Sequence, residues 1–192
     1  MPTDGGELEL IRRAREGDET AFAALVDRYA KPVLNFIWRI IGDRTDAEDL
    51  AQDSFVRAWQ RLNSFRENRA AFSTWLFQIA RNAAIDRLRA RARRPQTPLD
   101  EIAVEPASSR PGPDAEARHN ELGAAIAAAV AELPEDQRTA FVLAEYHGMA
   151  MREISVVMDC SEKSVENRLY RARQFLREKL EPWGNSFSKP ET

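Results

Sequence analysis

The sequence predicts an all-α protein: two small helical domains joined by a proline-rich linker, the second containing a helix-turn-helix. Three observations carry this. Apolar residues recur at three- and four-residue spacing along most of the chain, with no sustained period-two alternation between turn pairs. Five of the ten prolines fall between positions 95 and 113, in PQTPLDEIAVEPASSRPGPD. That stretch is too polar and too rich in proline to bury a core. Near the end, MREISVVM and EKSVENRLYRARQFLREK are amphipathic segments separated only by Asp159, Cys160 and Ser161. The expected division is a domain over 1–92, a linker over 93–116, a domain over 117–182 and a frayed tail over 183–192.

Residues 7–16 predict a short first helix that stops near Gly17. Asp18 is placed to cap the next, AFAALVDRYAKPVLNFIWRII, which Gly42 closes; Pro32 kinks or splits it. Thr45-Asp46-Ala47-Glu48 has the form of a capping box and predicts a helix over 46–62. A loop, NSFRENRAA, leads to a helix over 72–92. The second domain begins with a helix over 114–132. Pro134 then suits the first turn of a helix that Gly148 ends. The last two segments follow, with Ser161 positioned to cap the final helix.

Composition removes several classes of function. At 192 residues, 43% hydrophobic and 31% charged, with a mean hydropathy of −0.53, the chain reads as a folded soluble protein. No apolar run approaches the ~20 residues of a membrane span, so no membrane insertion is expected. The polar N-terminus does not read as a secretory signal. One cysteine, Cys160, fits a reducing cytoplasm. With only His119 and His147 beside it, no metal-ligand spacing exists. Phosphate-loop, GxSxG and HExxH motifs are missing. The expectation is a non-enzyme with no cofactor and no metal.

Three surfaces stand out. In the last helix, Val165, Leu169, Ala172, Leu176 and Leu180 form a core stripe, while Lys163, Asn167, Tyr170, Arg171 and Gln174 lie opposite. Arg168 and Arg173 flank the stripe within reach of phosphates. Such a face is either solvated or meets a polyanion, and Asn and Arg pair bidentately with adenine and guanine edges. In FSTWLFQIARNAAIDRLRARARR, six arginines stand against one aspartate between 81 and 94. Phe72, Trp75, Leu76, Ile79 and Ala83 read as core, and Gln78, Asn82, Ile85 and Arg89 as a second stripe. In the helix over 46–62, Asp46, Asp49, Gln52, Asp53, Val56 and Gln60 face away from the core, an acidic patch suited to a basic protein. Asp46 and Asp49 also suit the helix dipole.

The order of DAEDLAQDSFVRAWQRLNSF, TWLFQIARNAAIDRLR, a proline-rich linker, LPEDQRTAFVLAEYHGM and MREISVVMDCSEKSVENRLYRAR resembles the extracytoplasmic-function subfamily of the sigma-70 family of bacterial RNA polymerase sigma factors. The resemblance covers about residues 7–181. It implies a cytoplasmic polymerase subunit that directs promoter-specific initiation, with promoter duplex, melted non-template strand and core polymerase as partners. An anti-sigma factor is a further possible partner. By the same resemblance, Asp46, Asp49, Gln52, Asp53 and Val56 grip the polymerase. Gln78, Asn82, Ile85 and Arg89 address the minus-ten element, and Asn63, Ser64 or Phe65 pockets a flipped base. Lys163, Ser164, Asn167, Arg168, Tyr170, Arg171 and Gln174 address the minus-thirty-five element. The acidic linker resembles the strand that threads the polymerase between the two DNA-binding domains.

Two positions depart from the family pattern. Ala150 stands where a capping Ser or Thr is common, and Glu166 lies near the DNA-facing end of the last helix. Glu166 either accepts from a cytosine amine or pairs with a neighbouring Arg. The rival reading is a helix-turn-helix repressor or activator that is not a polymerase subunit; it leaves the acidic helix and the first basic helix without a role.

Overall fold

The computed structural model describes residues 5–68, 70–93 and 113–184. Most of the linker and residues 185–192 therefore lie outside the described residues. Within them the chain is all-helical: α1 (Gly5–Arg15), α2 (Glu19–Ile41), α3 (Arg44–Arg61), a 3₁₀ turn (Leu62–Ser64), α4 (Phe72–Arg93), α5 (Pro113–Glu132), α6 (Glu135–Phe141), a π turn (Val142–Tyr146), α7 (Met151–Met158) and α8 (Glu162–Gly184). The helix ending at Gly184 takes in the first two residues of the expected tail.

Local chemistry sets the ends of these helices. The Asp18 carboxylate accepts from the backbone N–H groups of Thr20 and Ala21, and Gly42 ends α2 at φ +75° with its N–H on Trp38 O at 2.8 Å. Pro32 neither splits α2 nor ends it. Val33, Phe36, Ile37, Ile40 and Ile41 are all buried beyond it, and their packing outweighs one missing backbone hydrogen bond. The expected capping box at Thr45 does not form. The helix starts two residues earlier, at Arg44, because Asp43 accepts from the Asp46 N–H at 2.8 Å, and Glu48 turns to Arg44 at 3.1 Å.

In the first half, α1, α3 and α4 pack around α2. Phe36, Phe65 and Phe72 are its largest fully buried rings. In the second half, α8 packs across α5, α6 and α7. The buried residues of the two halves form one continuous cluster, because α4 also packs against α7 and α2 against the π turn. His147 seats between rings of the first half, its centroid 4.8 Å from Phe77 and 5.9 Å from Phe36.

Burial and the Arg39 charge push the His147 imidazole down to about 4 from an ordinary 6.5. Its Nε2 has no hydrogen-bond partner among the described residues. The unfolded chain therefore takes up a proton before the folded chain does. Stability tied to His147 is complete above pH ~6.5 and is lost as pH falls toward ~4. Between pH 7 and 5 we expect a loss of about 1 kcal/mol, read from denaturant unfolding. In His147→Phe, which keeps a ring and cannot titrate, the loss should vanish; an equal loss in both proteins would exclude His147 as its source.

Candidate nucleic-acid and protein interfaces

The turn between α7 and α8 is built by its backbone. Asp159 takes the left-handed conformation at φ +50°, which Asp tolerates better than most residues. The Cys160 N–H then reaches Ser155 O at 3.0 Å, closing α7. Ser161 Oγ accepts from the Ser164 N–H at 3.2 Å and opens α8. Ala150 has no side-chain acceptor, and only the reciprocal half of its cap exists, with the Ala150 N–H donating to Glu153 at 2.9 Å. Ile154, Val157 and Met158 on α7, with Val165, Leu169, Ala172 and Leu176 on α8, are buried and fix the helix pair.

That burial turns Lys163, Asn167, Tyr170, Arg171 and Gln174 outward; Tyr170 is 69% exposed. Ser164 is half-buried, its hydroxyl 2.9 Å from Ser161 Oγ. Glu166 pairs with Lys163 at 2.8 Å rather than with an arginine. Both groups are well exposed, and an ion pair of this kind is worth about 0–1 kcal/mol. It can be exchanged for a phosphate or base at little cost. Arg168 differs from the rest. It donates to Cys160 Sγ at 3.0 Å and to Asp136 at 2.8 Å, which holds it beside α6 instead of on the outer face.

On α4 the second stripe is displaced from the expected one. Asn82, Asp86, Arg89 and Arg93 are exposed. Ile85 is only 3% exposed, and the Gln78 side-chain amide donates to Val156 O on α7 at 3.1 Å. Helix α4 is covered by α2 and α3 and also by α7, so a reading that allowed it one core face placed Ile85 on the surface. In the preceding loop Asn63 and Ser64 are exposed, but Phe65 is core, its ring 5.6 Å from Phe72 and 5.4 Å from Trp75. Arg15 secures this loop, donating to Phe65 O at 2.6 Å and to Leu62 O at 3.3 Å. Arg15 is one of three arginines in the last turn of α1, with Arg12 and Arg13, and nothing in the sequence singles it out for that role.

On α3, Asp49, Gln52 and Val56 are exposed, Val56 by 53%, and Asp53 pairs with Arg57 at 2.7 Å on the open surface. Trp59, missed by the sequence reading, lies on the same side at 36% exposure. Asp46 is not part of this open face. Its carboxylate is gripped by Arg87 and Arg91 of α4, and Arg91 also reaches Asp43. The outcome is an acidic strip on α3 with apolar centres, a basic end on α4, and an outward polar face on α8. Among the described residues no cluster of His, Cys, Asp and Glu could hold a metal ion. Nor is any of their helices long and apolar enough to cross a membrane.

Comparison with known proteins matches residues 25–94 to Sigma-70 region 2 and residues 123–176 to Sigma-70 region 4. The chain is 35% identical over 191 residues to the RNA polymerase sigma-H factor of Pseudomonas aeruginosa, covering 95% of this chain and 97% of that one. It is likewise 35% identical over 181 residues to the ECF RNA polymerase sigma-E factor of Escherichia coli K12, covering 90% and 93%. Among solved structures, CnrH in complex with the cytosolic domain of CnrY superposes with a TM-score of 0.69 at 29% identity, covering 93% of this chain and 99% of that one. The sigma factor RpoE of Bartonella quintana, in complex with the anti-sigma factor NepR, also gives 0.69, at 25% identity over 83% and 96%.

Proposed function

The chain belongs to the extracytoplasmic-function sigma factors of the sigma-70 family, non-enzymatic subunits that direct RNA polymerase to initiate transcription, and from that premise we propose how its surfaces divide the work. The C-terminal helix-turn-helix reads the minus-thirty-five element. Helix α8 enters the major groove, with Asn167 and Arg171 on base edges and Lys163, Ser164, Tyr170 and Gln174 along the groove walls and backbone. The N-terminal half reads the minus-ten element through Asn82 and Arg89 on α4, joined by Gln78 once it leaves Val156. Asn63 and Ser64 border a site for an unstacked base of the melted non-template strand. Phe65 and Ile85 pack beneath that surface.

The α3 strip, Asp49, Gln52, Asp53 and Val56, docks the polymerase, with Trp59 at its edge. Asp46 supports the strip by binding α3 to α4. The observation that carries this division is what each outward face presents: Asp49 and Gln52 beside an exposed Val56 on α3, Asn82 and Arg89 on α4, and Lys163, Asn167, Arg171 and Gln174 on α8. The acidic linker between the halves threads the polymerase. Work alongside polymerase places the protein in the cytoplasm. Both solved relatives above are complexes, one with CnrY and one with the anti-sigma factor NepR. That supports a protein inhibitor for this chain as well.

Charge reversal tests the docking face. Asp49→Lys with Asp53→Lys should weaken core-polymerase binding by about 10- to 100-fold, since like charges across an interface cost several kcal/mol. Both side chains lie on the open surface, so the thermal midpoint should move little. Unchanged affinity in a competition titration would remove α3 from the docking surface.

A further inference from the structure

Asn63 and Ser64 stand in solvent between two anchored neighbours, since Leu62 and Phe65 are buried on either side. Packing of those two side chains does not by itself fix the backbone between them. The Phe65 N–H donates to Leu62 O at 3.2 Å and closes one 3₁₀ turn, a geometry that holds weakly in isolation. Arg66 adds bonds to Asn63 O at 2.6 Å and Phe65 O at 3.1 Å. Being part of the same loop, it cannot tie that loop to the rest of the domain.

Arg15 makes that tie from α1. Its Nε donates to Leu62 O at 3.3 Å and its Nη2 to Phe65 O at 2.6 Å, across 47 and 50 positions of chain. The guanidinium carbon lies 5.6 Å from the Phe65 ring centroid, and Nη1 is 3.5 Å from the Glu67 carboxylate. The two carbonyls it holds are those that bracket Asn63 and Ser64. A planar guanidinium fixes two acceptors relative to each other, which a flexible ammonium does not. Both carbonyls also close the C-terminal end of α3 and its 3₁₀ extension, where the helix dipole favours a cation. The neighbouring Arg12 and Arg13 are instead spent on surface carboxylates, Glu9, Glu16 and Asp18.

We propose that Arg15 is a positioning residue of the minus-ten site: it holds the Asn63–Ser64 backbone in the conformation that receives the unstacked base, without touching DNA itself. This rests on the reading above that Asn63 and Ser64 border that base site. Taking a base out of the stack is unfavourable, and a loop that also had to order on contact would add its own entropy cost. A loop fixed beforehand avoids that cost. Without Arg15, apparent affinity for the base falls by the fraction of loops still in the receiving conformation. The role is confined to one step, because α3 and α8 make no contact with this side chain among the bonds it forms.

The test uses holoenzyme assembled from core polymerase and the full chain, bound to promoter fragments whose minus-ten non-template strand is single-stranded. An abasic site is placed at each position of that strand in turn. For wild type, removing the captured base should weaken binding by about tenfold. In Arg15→Met, which keeps an apolar stem beside Phe65 and removes the donors, that loss should shrink to about twofold or less. Discrimination at the minus-thirty-five element should stay at the wild-type level. Arg15→Lys keeps the charge without the planar fork and should recover only part of the difference. Wild-type discrimination in folded Arg15→Met would overturn the positioning role, and an equal loss at the upstream element would overturn its confinement to the loop. Full recovery by Arg15→Lys would show that charge alone suffices and overturn the two-carbonyl fork. If Arg15→Met does not fold by circular dichroism, Arg15→Lys carries the comparison, and wild-type discrimination in it overturns the proposal. If wild type itself distinguished no position of the strand, the base-site reading would fail and this proposal with it.

Discussion

Asn167→Ala together with Arg171→Ala should lower promoter-specific transcription by about thirtyfold or more. Each bidentate base contact supplies about 1–3 kcal/mol of discrimination, and losses of about 2–6 kcal/mol in total correspond to roughly 30- to 10⁴-fold at 1.4 kcal/mol per decade. Both residues are exposed, and the stripe that seats α8, Val165, Leu169, Ala172 and Leu176, is untouched. The fold should therefore survive. Because base contacts release few counterions, the salt dependence of DNA binding should stay close to wild type. Lys163→Ala should do the reverse, reducing the salt slope by about one with little change in sequence preference. If the double variant still selected the wild-type upstream sequence, α8 would not be the reading helix in the orientation argued here.

The second large effect is on stability. Phe72 is 1% exposed, with its ring 5.7 Å from Tyr29, 5.6 Å from Phe65 and 5.7 Å from Trp75. Phe72→Ala removes the shared member of that cluster at the start of α4 and should cost about 3–5 kcal/mol. Domains of this size carry only about 5–15 kcal/mol in all. The loss should lower the midpoint of chemical unfolding and loosen loop 62–68, whose Phe65 packs on the same ring. Hydrogen exchange should report the loosening first at Phe65 and Arg66. A cost below about 1 kcal/mol would mean that the cluster repacks and that Phe72 does not set the position of the loop.

What could be read from sequence follows from how local the cause is. The caps at Asp18, Gly42 and Ser161 act within three or four residues, and the sequence placed them correctly. The start of α3 was missed because Asp43 and Thr45 are both competent caps two residues apart, and the choice depends on backbone angles that composition does not reveal. Pro32 was expected to kink or split α2; it does not split it, because the apolar residues after it are held by neighbouring helices. The larger misses are non-local. Asp46 reads as an exposed first-turn carboxylate until Arg87 and Arg91, 41 and 45 positions later, are brought beside it by α4. Ile85 and Gln78 read as surface residues because nothing in the period of α4 shows that α7 lies across it. Arg168 read as a phosphate contact until Asp136 came beside it. Glu166, left between a base and an arginine, has Lys163 as its partner in the free chain.

Promoter selection by core RNA polymerase should depend on this chain. The direct measurement is transcription in vitro from genomic fragments, by bacterial core polymerase with and without the purified chain, followed by mapping of RNA 5′ ends. Discrete start sites should appear only when the chain is present, each preceded by shared sequences centred near minus ten and minus thirty-five. Start sites that did not change on adding the chain would contradict that dependence.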